Sequence, residues 1–405
     1  MKKSQGGQSS IHLPGGFWFS AATAGIKASG RPDLALIVCE PGTRAAAMFT
    51  SNRVVAAPLQ VAKASLRVTR GAVRAVVVNS GNANCATGSP GYRGCRQVCQ
   101  ESAKIVGSRP QEIFPASTGI IGVPFPAAKI VAHLPELFRN SLATTDAAHA
   151  FSRAIMTTDT RPKVACGTFL VRDRQISILG IAKGSGMIHP QLATMLVYLL
   201  TDVSGTTTQL NLALKEASKR TFNCISVDGD TSTNDTALLL ASGRSGVSLK
   251  EGGAGKRFQA VLLEVCNSLA QQIVADGEGV QHVIRLTVEQ AKEFEEARQI
   301  AAAISHSLLV KTAWAGADPN WGRILAAIGS SGVAINPSRV NIYVGDQMVC
   351  RNGQAHPFDE KRAHDHLSQF RCDVRVQLSR GRASLQFHTT DLSAEYVRIN
   401  ADYST

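Results

Sequence analysis

The stretch 183–202, KGSGMIHPQLATMLVYLLTD, constrains this chain more than any other. Gly184, Ser185 and Gly186 permit unusual backbone geometry, Pro190 rigidifies the approach, and Met195-Leu-Val-Tyr-Leu-Leu reads as a buried element. Between them stands Ala193-Thr194. A threonine hydroxyl is a poor nucleophile unless a base lies beside it. Cleavage of the peptide bond before Thr194 would create that base, because the new α-amino group titrates near ~8 and can take the proton of its own hydroxyl. The apolar run would then anchor the new terminus. The same dipeptide also fits a plain strand or helix start, and residue chemistry alone leaves both readings open.

Elsewhere, short Val-, Ile- and Ala-rich runs such as 34–39 and 72–78 predict buried strands bounded by turn residues. Residues 257–275 carry Phe258, Val261, Leu262, Val265, Leu269 and Ile273 at helical spacing, and Asp276-Gly-Glu-Gly stops that helix. A second helix is expected over 288–304, a strand over 282–288, and further strands over 340–344 and 374–378. The Gly-, Ser- and Lys-rich stretch 242–256 reads as an exposed loop. This mixture is α/β.

Composition narrows the functional classes. The 405 residues, 44% apolar and 18% charged, are those of a soluble globular protein of two or three domains by length. No apolar run approaches the roughly 20 residues of a membrane helix. Lys2 and Lys3 are followed by polar residues rather than an apolar core, which argues against a secretory leader and for a cytoplasmic protein. Nine scattered cysteines without CxxC spacing argue against a disulfide scaffold or structural zinc, so no metal is expected. Cys95 and Cys99, four apart, share one helix face at most. The net charge of +13 raises nucleic acid as a partner, but the basic residues are dispersed, and a solvated basic surface is the better reading. Such a field would attract small carboxylates, or the phosphates of an acyl carrier such as coenzyme A.

The 183–202 stretch, with Lys183, Gly-Ser-Gly-Met, Pro190 and Ala193-Thr-Met-Leu, resembles the self-cleavage segment of the ornithine acetyltransferase (glutamate N-acetyltransferase) family of arginine biosynthesis. Other segments match in order, among them Val78-Asn-Ser-Gly-Asn-Ala-Asn, Ser117-Thr-Gly-Ile-Ile-Gly, Met156-Thr-Thr-Asp-Thr, Ser226-Val-Asp-Gly-Asp-Thr-Ser-Thr-Asn-Asp, Gly316-Ala-Asp-Pro-Asn-Trp-Gly-Arg-Ile and Tyr396-Val-Arg-Ile-Asn-Ala-Asp-Tyr. The resemblance implies a layered α/β sandwich, self-cleaved into chains 1–193 and 194–405 that share one core. It implies transfer of acetyl from N2-acetyl-L-ornithine to L-glutamate through Thr194, with no cofactor and a heterotetramer of two copies of each fragment. Some members also take acetyl from acetyl-coenzyme A, and both donor ranges stay open. The rival enzyme reading is an N-terminal-nucleophile aminopeptidase or amidase, which would pass the acyl group from Thr194 to water.

Residue by residue, the resemblance places the oxyanion hole on the Thr118 hydroxyl and the Gly119 amide, and cleavage between Ala193 and Thr194. It makes Lys183 and Thr157 substrate contacts, Glu278 a group lining the acetyl-transfer site, and Asn400 and Thr405 substrate holders from the tail. Around 396–399 the apolar residues alternate as a strand would. The pattern departs from the family's at Ser404, where arginine is common, and at Val280-Gln281-His282, where Ala-Thr-Lys is common. Ile225-Ser-Val-Asp-Gly-Asp-Thr has the spacing of an aspartyl-phosphate loop, with Asp228 as nucleophile, but that chemistry also needs a Lys and a further acidic pair downstream in a doubly wound sheet, and no convincing pair follows. Asp228 and Asp230 are instead expected to hold a tight loop near the site.

Overall fold

Along the strand Leu196–Thr201 every residue is buried, and the sides alternate. Leu196, Tyr198 and Leu200 pack into one core while Val197 and Leu199 pack into another, as a period of two requires. A strand covered on both faces reads as a continuous apolar run. Each Leu or Val so buried contributes about 1.5–3 kcal/mol relative to exposure.

The computed structural model describes residues 12–189 and 195–402. Its middle sheet runs in the order Arg44–Phe49, Thr236–Ala241, Leu196–Thr201, Arg174–Lys183, Lys163–Val171. Helices Thr207–Arg220 and Ala254–Val274 cover one face. On the other lies a four-stranded sheet of Phe17–Ala22, Leu34–Cys39, Ala75–Asn82 and Ile113–Ile120. Helices Gly88–Val106 and Ala127–Arg139 close the far side of that sheet. The layers are therefore helix, sheet, sheet, helix. A six-stranded sheet, with Val283–Ala291 between Arg371–Gln377 and Ala383–Thr390, forms a separate core with helices Phe294–His306 and Trp321–Gly329.

The strands on either side of 190–194 are partners. Arg174–Lys183 pairs antiparallel with Leu196–Thr201, with Lys183 opposite Leu196, and Leu196–Thr201 pairs parallel with Thr236–Ala241. Ladder hydrogen bonds and two buried faces hold these strands together without help from the connection between them.

Three expectations need correcting. The helix expected over 288–304 begins at Phe294, because Val288 is a strand residue facing both Val376 and Leu385. The stretch 242–256 is not wholly exposed: Val247 and Leu249 turn into the core, and helix Ala254–Val274 starts within it. The tail is helix, Ala394–Asp402, rather than strand. Ser393 Oγ accepts from Tyr396 N at 3.3 Å, capping the first turn while donating to Gly279 O at 2.6 Å. All of the cysteines but Cys166 are buried, Cys95 and Cys99 on one helix. Among the described residues no helix is long and apolar enough to cross a membrane.

Candidate active site

Thr118 and Gly119 lie near the end of Ile113–Ile120, which pairs parallel with Ala75–Asn82, and the register slips where Gly119 meets Gly81. Gly119 has φ of +132°, and a β-carbon there would strike the backbone of Gly81 and Asn82. Only glycine allows two backbones so close. The segment is thus a strand end and not a loose turn after Pro115.

Lys183 closes the strand Arg174–Lys183 rather than standing on the glycine turn. Its side chain is buried, 3% exposed, and the amine donates to Thr118 Oγ1 at 3.3 Å. A hydroxyl that accepts from an amine keeps its own proton free to donate elsewhere, which is what an oxyanion donor must do. Burial pushes the Lys183 amine below the usual lysine range, opposed first by the charge of Asp159.

Glu278 reaches the same place from the turn after Ala254–Val274. Its amide donates to Ser185 O at 2.9 Å, and its carboxylate packs over Gly186, where any β-carbon would collide with it. Asn400, on the C-terminal helix, donates through Nδ2 to Glu278 Oε2 at 3.0 Å. Thr157 N donates to Asp159 Oδ2 at 3.0 Å. Thr118, Gly119, Thr157, Lys183, Glu278 and Asn400 all line one cavity of about 80 Å³. Ala193, Thr194, Thr405 and the divergent Ser404 lie outside the described residues. A larger cavity of about 690 Å³, around Gly316 to Trp321 and His364, contains none of the expected site residues.

Beneath the cavity is an ion network that motif reading did not single out. Lys163 Nζ lies 2.6 Å from both Asp159 Oδ1 and Asp276 Oδ2, with Lys163 and Asp159 side chains fully buried. Asp159 Oδ1 also accepts from Gly184 N at 2.7 Å, so the carboxylate that holds Lys163 holds the turn after Lys183. Burial alone would raise the Asp159 carboxyl, but the Lys183 and Lys163 charges bring it down to about 2. Asp159 and Asp276 each sit inside a motif already noted, whereas Lys163 carries no signal beyond being basic.

Asp228 serves as the expected clamp. It accepts from Met187 N at 2.6 Å, Ile188 N at 2.9 Å and Asp230 N at 3.2 Å, and it faces the Tyr396 hydroxyl at 3.3 Å. Met187, with φ of +54°, is thereby held in the left-handed region, at a cost of about 1–2 kcal/mol. Burial pushes the Asp228 carboxyl up to about 6, against those backbone amides. Asn234 donates to Ala83 O at 2.7 Å and Ser117 O at 2.9 Å, tying its loop to the ends of the four-stranded sheet. Thr158 and Ser185 share a hydrogen bond of 2.7 Å. Among the described residues no group of three or more His, Cys, Asp or Glu side chains is placed to hold a metal ion.

A model of the ArgJ family matches residues 18–405. The arginine biosynthesis bifunctional protein ArgJ of Methylococcus capsulatus is 45% identical over 394 residues, covering 96% of this chain and 95% of that one. The protein of the same name from Thermus thermophilus is 44% identical over 399 residues, covering 98% and 100%. A crystal structure of ArgJ from Bacillus halodurans is 38% identical and covers 51% of this chain and 98% of its own, with a TM-score of 0.49.

Proposed function

The chain belongs to the ArgJ family, and from that premise we propose an acetyltransferase of arginine biosynthesis that cleaves itself between Ala193 and Thr194 and carries acetyl on the new N-terminal threonine. One observation carries the assignment of the site. Six residues from five separate stretches of sequence converge on a single cavity, beside the strands that flank 190–194.

In this reading the Thr194 hydroxyl attacks the acetyl carbonyl of N2-acetyl-L-ornithine, its proton passing to the free α-amine of the same residue. The tetrahedral oxyanion rests on the Thr118 hydroxyl and the Gly119 amide. The α-amine hands that proton to the ornithine nitrogen as its bond to the acetyl carbon breaks. The amine of L-glutamate then attacks the acetyl ester through the same oxyanion site. The Thr194 Oγ–acetyl bond breaks, and the proton lost by the glutamate nitrogen returns to Thr194 Oγ as N-acetylglutamate leaves. The kinetics are ping-pong. Lys183 orients the Thr118 proton and adds positive charge for a substrate carboxylate. Glu278, held by Asn400, faces the amine of whichever amino acid is bound, and Thr157 borders the same space. Thr405 adds a contact from the tail. The relatives are named bifunctional proteins, and the basic surface suits a polyphosphate carrier, so acetyl-coenzyme A is the expected second donor. Two copies of each fragment make the expected assembly.

The test is formation of labelled N-acetylglutamate from glutamate with each donor in turn, against release of acetate to water. Product from both donors with little acetate is expected; acetate as the main product would mark a hydrolase instead. Thr118→Ala should slow acetyl transfer by roughly 10²-fold with little change in KM. Lys183→Met is expected to raise KM as well, since it removes both the charge and the orientation of Thr118. Wild-type kcat in Thr118→Ala would remove that residue from the oxyanion hole.

A further inference from the structure

Among the described residues that line the site cavity, only Ala83, Ile121 and Met187 carry wholly apolar side chains. The scheme above gives none of them a task, yet a transferred acetyl group carries a methyl that gains by leaving water for an apolar surface. Met187 follows Gly186, over which the Glu278 carboxylate packs, and so belongs to the part of the cavity that meets the amino-acid portion of the substrate. Ile121 and Ala83 stand beside the oxyanion hole. Ile121 is two residues beyond Gly119, so their Cα atoms lie within about 7 Å, and Ala83 N donates to Ile120 O at 2.9 Å. The half-buried Ile121 packs against Ala56, Ala83 and Cys85, each no more than 2% exposed. Gly122 N donates to Cys85 O at 3.0 Å, so hydrogen bonds on both sides of Ile121 fix its backbone. A β-branched side chain is also stiff at χ1. The wall it makes is rigid.

We propose that Ile121, backed by Ala83, is the wall that meets the methyl of the transferred acetyl group and so restricts the enzyme to two-carbon acyl groups. The inference rests on the acetyltransferase reading and the oxyanion hole given above. With the carbonyl oxygen held by Thr118 and Gly119, the acyl methyl is two covalent bonds away from that oxygen, at about 2.4 Å. The strand end that supplies the hole therefore also sets what surrounds the methyl. The amino-acid portion of either substrate needs ionic and hydrogen-bonding partners, which Lys183, Glu278 and Asn400 offer in the same cavity. That leaves the apolar wall beside Gly119 to the acyl group. A propionyl or butyryl chain would drive its next carbon into a side chain held by its own backbone and by three buried neighbours. Packed apolar surfaces yield poorly to an added methylene. Ile121 thus governs which acyl group enters, and the bonds made and broken in the transfer stay the same.

The test compares N2-acetyl-L-ornithine with N2-propionyl-L-ornithine as donors and L-glutamate as acceptor, reading kcat/KM for the acylated glutamate formed by the purified protein. Wild type should favour acetyl by about tenfold or more, and equal use of the two donors would already sink the idea. Ile121→Ala should move the ratio towards propionyl by about tenfold or more, through a faster propionyl reaction. A generally damaged site would instead slow both donors alike and leave the ratio where it was. A smaller shift in a cooperatively melting Ile121→Ala protein overturns the proposal and leaves the acetyltransferase reading standing. If wild type transfers neither group to glutamate, both fall. Should Ile121→Ala not fold, Ile121→Val removes one methyl group from the same wall: a shift towards propionyl of about threefold or more supports the proposal, and a smaller one overturns it.

Discussion

Thr194→Ala is expected to leave the 405-residue chain in one piece and to lower acetyl transfer by at least about 10⁴-fold. One hydroxyl performs both tasks in the proposed scheme, attacking the Ala193 carbonyl once in the life of the molecule and the acetyl carbonyl in every turnover. Removing it leaves neither a cut nor a carrier. Intact mass under denaturing conditions decides the matter: wild type should appear as fragments 1–193 and 194–405, the second beginning with threonine. Native size should not change on cleavage, because the strands before and after the cut are hydrogen-bonded partners and the second is buried on both faces. Thr194→Ser keeps the hydroxyl and should still cleave. A fully active wild-type sample consisting of one uncut chain would refute the scheme.

Lys163→Met should destabilise the protein by about 3–5 kcal/mol. The substitution removes the ammonium between two buried carboxylates, leaving Asp276 with the half-exposed Arg161 at 3.7 Å and Asp159 with the more distant charge of Lys183. Replacing the whole cluster by apolar groups would be far milder; it is the unpaired charge that costs. Melting in the uncut Thr194→Ala background reads this as unfolding of a single chain. The same network has a pH signature. Asp159 is held down to about 2, below the ~3.9 of an unfolded aspartate, so its contribution to stability is fully present above about pH 4 and is lost as pH falls towards 2. Asp159→Asn should remove that part of the acid sensitivity. A melting temperature for Lys163→Met within a degree or two of its parent would show that water enters the cluster and screens it.

Several elements were legible before any coordinates. The helix expected over 257–275 appears as Ala254–Val274 because one face carries Phe258, Leu262, Val265, Leu269 and Ile273 into the core. The strand over 34–39 is exact. A strand is the expectation for the tail because Val397 and Ile399 stand two apart around a polar residue, over a span too short to tell a period of two from a helical one. In the helix Tyr396 and Ile399 share a half-buried face while Val397 is 59% exposed, and the Ser393 cap decides between the patterns. The site residues were reached through motifs and resemblance. Chemistry alone would have left Thr118 in a turn, Lys183 in solvent and Glu278 on the surface. Lys163 was beyond reach, since nothing in its neighbours distinguishes it from other basic residues.

The sequence by itself determined the continuous apolar run that buries Leu196–Thr201 on two sides and the glycines that let Gly119 approach Gly81. These are properties of side-chain shape that each residue carries wherever the chain places it. Only the tertiary structure decided that the Lys183 amine meets Thr118, that Lys163 sits between two aspartates 117 positions apart, and that the Asp235 carboxylate accepts from the Met195 amide. Those depend on which strand ends the packed sheets bring together and on how completely water is removed around them. Desolvation sets the strength of a charge and the direction of its pKa, and it belongs to the assembled layers rather than to any segment of the chain.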